Sequence, residues 1–189
     1  MACNSPLDEA YIESMDIHRA AINEQFADSA RSPLTPEGLA QFNGLEFFPA
    51  KPEYFIKARF IPNPDPLPFG METTTDRRPV YLKYGEAHFE MEGRDIVLEI
   101  YQSASLRDME EFSEYLFLPF KDLTNGVETY GGGRYIDLKI PEGEYIMIDF
   151  NKAYNPYCAY NHRYSCPVPP EANHLNIRIP AGVKGYLGQ

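Results

Sequence analysis

The sequence is poor in positive charge and has no long apolar run, and both shortages restrict its partners. It carries 17 Lys and Arg against 28 Asp and Glu, a net charge of −11, and its only adjacent basic pair is Arg77-Arg78. Nucleic acids and anionic membrane surfaces are bound by concentrated positive charge, so neither is a predicted partner. Without an apolar run of bilayer length, the sequence predicts no transmembrane segment.

The sequence also lacks the motifs that identify a cofactor or a metal site. Its triple glycine, Gly131-Gly132-Gly133, matches no nucleotide-binding pattern and precedes an apparent strand, so it predicts a hairpin turn. Cys158, His162 and Cys166 match no zinc-finger spacing. We therefore predict no cofactor and no metal, and the motifs assign no catalytic residue.

What the sequence does contain is typical of one globular, β-rich domain. Its aromatic content of 14% comes from 14 Tyr and 12 Phe without Trp, beside 17 Pro and 13 Gly. This composition favours strands and turns over a helical bundle. We expect a single domain over residues 1–189, helical over about 5–44 and β-rich over about 53–182, which is long enough to bury a real core.

Helical signals lie at the start of the chain. Ser5-Pro6-Leu7-Asp8 combines a capping residue, a first-turn proline and an acidic residue, as helix starts do. The helix is predicted to extend through Ala30, because five residues recur at helical spacing: Tyr11, Met15, His18, Ile22 and Phe26. We expect His18 to be a packed helix residue and not a ligand. A second short helix is predicted from Thr35 to near Gly44.

From residue 53 onward the apolar residues alternate, which is typical of strands. The clearest hairpin turns at Gly93-Arg94 and buries, on its two strands, Ala87, Phe89, Met91, Ile96, Leu98 and Ile100. Other strands are predicted at 54–61, 69–75, 116–120, 127–130, 134–140, 145–150 and 175–179, with a short helix at 106–115. The expected fold is α+β, mainly β: an antiparallel sandwich or partly closed barrel with two N-terminal helices.

Polar and aromatic residues are concentrated between Asp122 and Asn173, around a long loop at 151–172. A hairpin closed by the three glycines would place Glu128, Tyr130 and Arg134 on one face. Because Arg134 would stand at the end of a buried face, it needs a carboxylate partner, and Glu128 is the candidate.

Two cysteine questions stay open. Cys158 and Cys166 are compatible with a buried reduced pair, with a disulfide, or with a nucleophilic Cys158 assisted by His162. Met1-Ala2-Cys3 fits the start of an exported cell-envelope lipoprotein whose leader has been removed, and it equally fits an ordinary cytoplasmic start.

The motifs of the dense region resemble one family. They are Asp122-Leu-Thr-Asn-Gly126, Glu128-Thr-Tyr-Gly-Gly-Gly-Arg-Tyr135, Asp149-Phe-Asn151, Asn155-Pro-Tyr-Cys-Ala-Tyr160 and the run from Cys166-Pro-Val-Pro-Pro-Glu171 to Asn173. With Phe47-Phe48-Pro49 and Arg77-Arg78, they resemble the bacterial and archaeal domain of unknown function family 1684 over about Tyr11 to Gly182. The resemblance implies no activity and no catalytic residue. Its Bacteroidetes members look similar and often carry an export leader, which favours the lipoprotein interpretation of Cys3.

The residues support three functional hypotheses. The first is a cell-envelope domain that binds a small polar, ring-bearing ligand under the tyrosine-rich loop. Its candidate lining is Glu128, Tyr130, Arg134, Asp149, Asn151, Tyr154, Asn155, Cys158, Tyr160, His162 and Glu171. The second is a hydrolase-like enzyme with Asp149 or Glu171 as general base and Arg134 as electrophilic partner. The third is a structural domain whose polar network only fastens the loop. The oligomeric state is not indicated.

Overall fold

Two helices precede the β-sheet in the computed structural model, which describes residues 6–186. Helix α1 spans Pro6–Ala27 and helix α2 spans Pro36–Ala40, so both predicted helices are confirmed. Thr35 is the N-cap of helix α2, and its Oγ1 accepts the Gly38 N–H at 3.0 Å. The expected cap of α1, Ser5, and Cys3 lie outside the described residues.

Helix α1 is attached to the sheet through one aromatic side chain. The hydroxyl of Tyr11 donates to Oδ1 of Asp149 at 2.7 Å, and its ring stacks on Phe55 at 5.6 Å between centroids. On the same stripe, Met15 and Phe26 are buried. The helical spacing seen in the sequence therefore marks the packed face of α1.

Seven antiparallel strands form one curled, half-barrel sheet. They are β1 (Phe55–Pro62), β2 (Pro68–Gly70), β3 (Val80–Met91), β4 (Arg94–Ser103), β5 (Tyr115–Phe120), β6 (Arg134–Lys139) and β7 (Tyr145–Asp149). The order across the sheet is β6-β5-β4-β3-β1-β7, with β2 paired to β3. This architecture confirms the predicted α+β, mainly β fold.

The predicted hairpin at Gly93 is the β3–β4 pair. Met91 pairs with Arg94 across a two-residue turn, and both turn residues have positive φ, 53° at Glu92 and 69° at Gly93. That backbone matches the twist of the flanking strands, and glycine adopts it without strain. The predicted inward residues of this hairpin join the main core, although Phe89 is only partly buried.

Strand β5 has two apolar faces. Leu116, Leu118 and Phe120 are buried in the main core. Tyr115 and Phe117 alternate with them, so they lie on the opposite face, where Phe117 pairs with Tyr101 of β4. The sheet therefore carries a second, aromatic surface beside its core, and this surface forms part of the candidate site.

The predicted hairpin closed by the three glycines is wrong. Strand β6 pairs with β5, with Phe120 opposite Arg134, and residues 127–130 form no strand. The three glycines end a turn-rich connection over residues 121–133. Gly133, at φ +99° and with the Phe120 carbonyl 2.7 Å from where a Cβ would stand, allows the chain to enter β6.

Three other segments differ from the sequence prediction in extent or type. The predicted strand at 175–179 is an extended segment without a ladder; it keeps alternate burial of Leu175, Ile177 and Ile179 and bonds to residues 121–123. The helix predicted at 106–115 is reduced to α3 (Ala104–Arg107) and a single 3-10 turn. The strand predicted at 69–75 is the three-residue β2. Within the described part of the chain, no helix has both the length and the apolar composition needed to cross a membrane.

Candidate functional site

A cavity of about 620 Å³ lies between α1, the aromatic surface of β5 and β6, and the loop that follows β7. Its volume is in the range of small-molecule sites. Seven tyrosines line it, and they are Tyr81, Tyr115, Tyr135, Tyr154, Tyr157, Tyr160 and Tyr164. Alternate residues of β5 and β6, residues on the inner face of α1, and residues of the loop each contribute side chains to its lining.

The charged centre of the aromatic wall is Asp137 of β6. It stands opposite Phe117 of β5. Two phenols donate to the same oxygen of this exposed carboxylate: Tyr154 to Oδ1 at 2.6 Å and Tyr115 to Oδ1 at 2.8 Å. Both donors and the acceptor line the cavity, so the carboxylate is held in a defined position beside aromatic rings.

The tyrosines around Asp137 are neutral hydrogen-bond donors. Burial, reinforced by the charge of Asp137, raises the pKa of Tyr115 and of Tyr154 well above the ordinary phenol value. Burial also raises the pKa of Tyr135, whose hydroxyl donates to the backbone carbonyl of Pro167. That hydrogen bond fastens the long loop to the sheet at the cavity edge.

The loop after β7 contributes polar side chains to the cavity lining as well as tyrosines. The Asn151 amide spans Lys51, accepting its N–H at 3.0 Å and donating to its carbonyl at 2.9 Å. Asn155 is 1% exposed and donates through Nδ2 to the Lys184 carbonyl at 2.9 Å, whereas its Oδ1 is buried with no hydrogen-bond partner among the described residues. A buried acceptor without a donor is costly, and here it stands in the wall of a cavity.

The basic side chains that line the cavity are His18 of α1 and Lys152 of the loop after β7. Burial, and then the nearby charge of Lys152, lower the pKa of His18, so its imidazole is uncharged at neutral pH. Lys152 places its Nζ 3.8 Å from Oδ2 of Asp149, so its charge has a carboxylate partner.

Arg134 lies outside this cavity wall, in a closed buried network. Its partner is Asp122 and not Glu128, as the sequence had led us to expect: Nη2 lies 3.0 Å from Oδ1 of Asp122, and both side chains are fully buried. Nη2 also donates to the Ile179 carbonyl at 2.9 Å, and Nη1 donates to the Ala181 carbonyl. The predicted pairing failed because Arg134 enters β6 beside β5, not beside Glu128.

Four other nominated residues occupy separate places. Glu128 forms a two-armed ion pair with Arg178, with oxygen–nitrogen distances of 2.6 and 2.8 Å. Asp149 is buried and bonded to Tyr11. His162 and Glu171 are exposed and do not line the cavity.

Cys158 and Cys166 are buried free thiols. The Cys158 N–H donates to Sγ of Cys166 at 3.1 Å, and the Tyr130 hydroxyl lies 3.7 Å from Sγ of Cys158. The hydrogen bond from the Cys166 thiol lowers the pKa of Cys158 to about 6, and burial together with the Cys158 partner raises the pKa of Tyr130 to about 12. Cys166, but not Cys158, lines the cavity.

The cavity therefore brings together only part of the predicted lining. From that set it takes Asn151, Tyr154, Asn155 and Tyr160. Sequence reasoning missed Tyr115, Phe117, Tyr135 and Asp137, which lie on β5 and β6. The available signal was the unbroken apolar run from Tyr115 to Phe120, which is typical of a strand buried on both faces.

Comparison with known proteins agrees with the motifs. The sequence profile of the family described as protein of unknown function (DUF1684) matches residues 40–184. The solution NMR structure of an uncharacterized protein from Haloarcula marismortui is similar, with a TM-score of 0.72. The two sequences are 33% identical, and the match covers 93% of this chain and 95% of that one. No curated protein matches the chain. This chain therefore belongs to the protein of unknown function family DUF1684.

Proposed function

We propose that this protein binds a small, polar, ring-bearing ligand in the tyrosine-lined cavity. The observation that carries the proposal is the cavity itself: about 620 Å³, with seven tyrosines and a fixed carboxylate on its wall. Aromatic faces favour the flat faces of rings, and a few placed polar groups orient a ligand. The sequence-based expectations of a cell-envelope location and a Bacteroidetes-like origin stay predictions.

The hydrolase-like alternative has less support. Its electrophilic group, Arg134, is fully buried and committed to Asp122 and to two backbone carbonyls. Its candidate bases are Asp149, bonded to Tyr11, and Glu171, which is exposed outside the cavity wall. The Arg134 network has instead the closed geometry that the structural hypothesis required. It fastens the chain, whereas the cavity supplies the space for a ligand.

Binding can be tested with a single fluorophore, because the chain has no tryptophan. Tyr164→Trp places an indole in the cavity wall, and Tyr145→Trp places one on an exposed position of β7, at 50% exposure, as the control. Titration of tyrosol, tyramine and methyl β-glucoside up to about 10 mM covers the range of weak binding. We expect a saturable change in Tyr164→Trp emission with at least one compound and none in Tyr145→Trp. If none of the three compounds changes the Tyr164→Trp signal, the proposal is wrong.

A further inference from the structure

We infer that the ligand of this cavity carries an ammonium group that binds at Asp137. The inference rests on the proposed function and specifies the chemical class of its ligand: a small ring-bearing amine. The feature of the wall that carries it is the carboxylate of Asp137, which two phenols hold in place beside aromatic rings.

The carboxylate of Asp137 has no ion-pair partner among residues 6–186. The two phenols use Oδ1, and no described side chain donates to Oδ2. An exposed carboxylate by itself is ordinary. This one accepts hydrogen bonds at 2.6 and 2.8 Å from two partly buried tyrosines, which restricts the movement of its side chain in the cavity wall.

Two nearby cations have partners of their own, and Lys139, two residues along β6, is exposed and forms no ion pair with Asp137. Lys152, the lysine of the wall, pairs with Asp149. Arg77, at the rim near Tyr81, donates to the Ser165 carbonyl at 2.9 Å and to its hydroxyl at 3.3 Å. Among residues 6–186, Asp137 is therefore a carboxylate of the wall without an ion-pair partner, and a bound cation would supply one.

The surroundings of Asp137 suit an organic cation better than an inorganic one. Phe117 and Tyr135 lie on the same sheet face, with ring centroids 4.7 Å apart, and Tyr154 packs edge-on against Tyr135 at 5.8 Å. The negative faces of aromatic rings attract ammonium groups.

The test compares tyramine with tyrosol, which differ by an ammonium group in place of a hydroxyl. Binding is followed through the amide resonances of Asp137, Tyr154 and Asn155 in nitrogen-15 spectra and through Tyr164→Trp emission. Because a hydrogen bond to a charged group exceeds one to a neutral group, we expect tyramine to bind about 10-fold or more tightly than tyrosol. Asp137→Asn should remove this difference by weakening tyramine binding to about the level of tyrosol binding.

The matched control is Glu142→Gln, which removes the same charge from an exposed residue outside this cavity wall. It should keep the preference for tyramine. A dispersed nitrogen-15 spectrum of Asp137→Asn shows that the variant is folded. Equal binding of the two compounds by the natural sequence, or an unchanged preference in Asp137→Asn, overturns the ammonium inference and leaves the proposed function standing. Lack of binding by every compound rejects both.

Discussion

The two thiols of Cys158 and Cys166 have the same chemistry, and their surroundings separate them. The Cys166 thiol, and then the hydroxyls of Tyr130 and Thr74, donate to the Cys158 sulfur and favour its thiolate, against the opposing effect of burial. The same pairing raises the pKa of Cys166. One proton is thus shared unequally between two buried sulfurs, with Cys158 as the acceptor.

Alkylation of Cys158 should follow this order. The thiolate is the nucleophile, so the rate with iodoacetamide should rise as the pH increases through about 6 and level off above it. In Cys166→Ala the main donor is gone, and the midpoint should move up by at least about one pH unit toward the ordinary thiol value of about 8.5. Peptide mass spectrometry separates Cys158 from the other cysteines.

His162→Ala is the control for this titration, since the sequence left open that His162 assists Cys158. The side chain of His162 is exposed and is not among the groups that shift the pKa of Cys158. We expect an unchanged profile in this variant. A midpoint that moves in His162→Ala and stays fixed in Cys166→Ala would show that the assignment of donors is wrong.

At the scale of single residues, the sequence indicated which side chains need a hydrogen-bond or ion-pair partner better than it indicated which residue that partner is. Asn151, Tyr154 and Asn155, which were nominated as ligand-binding residues, line the cavity, and their role in binding stays a prediction. The sequence predicted that a carboxylate pairs with Arg134, but it named Glu128, whereas the partner is Asp122. Choosing between Asp122 and Glu128 depends on which strand lies beside β6, and side-chain alternation within β6 carries no such information.

At the scale of elements, the connection from β5 to β6 shows what three identical residues can do differently. Gly131 is exposed, and a Cβ there would meet its nearest neighbour, Cα of Gly126, at 3.6 Å. Gly133 has φ +99°, and a Cβ there would lie 2.7 Å from the Phe120 carbonyl and 2.7 Å from Cγ of Pro169. Only the last glycine combines positive φ with backbone contact this close.

Gly133→Ala should therefore destabilise the protein, by about 2 kcal/mol or more, because strain at positive φ adds to the contact with fixed backbone. Gly131→Ala, the matched control two residues away, should stay within about 0.5 kcal/mol of the natural protein. Urea unfolding followed by circular dichroism measures both. Equal stabilities for the two variants would contradict the role assigned to Gly133.

Strand periodicity was the most reliable signal at this scale, and its failures have a common cause. It located β1, β3, β4, β5, β6 and β7 because each has at least one regularly buried face. Leu175, Ile177 and Ile179 show the same alternation but form no ladder, since the segment crosses the core and bonds mainly to a turn. Alternation reports burial, and it cannot tell whether a neighbouring strand is present.

At the scale of the whole molecule, the segment from Asn173 to Val183, called the C-terminal segment here, connects distant parts of the chain. The Asn173 amide donates to the carbonyls of Glu99 and Pro119, at 2.8 and 2.7 Å, and so joins β4 to β5. Farther along, the Phe48 N–H donates to the Gly182 carbonyl at 3.0 Å and the Val183 N–H donates to that of Ala153 at 2.9 Å. One segment thereby connects the sheet, the approach to β1 and the loop that forms the cavity wall.

Arg134 is the side chain through which strand β6 is joined to this segment. Its guanidinium binds Asp122 in the β5–β6 connection and the carbonyls of Ile179 and Ala181 in the C-terminal segment, with no exposed surface. Removing one member of a buried ion pair leaves the other charge uncompensated in a medium that solvates it poorly. The cost should therefore exceed that of losing an exposed pair, although both losses remove one arginine.

Arg134→Met should lower the free energy of unfolding by about 3 to 5 kcal/mol. Arg178→Met breaks the solvent-exposed pair with Glu128 and should lower the free energy of unfolding much less, because water screens exposed charges. Urea unfolding of both variants, in one buffer, compares the two losses directly. If the two variants unfold at the same urea concentration, Arg134 does not join β6 to the C-terminal segment in the way its contacts indicate. A large loss in Arg134→Met alone would mean that the arginine nominated for a ligand serves the fold.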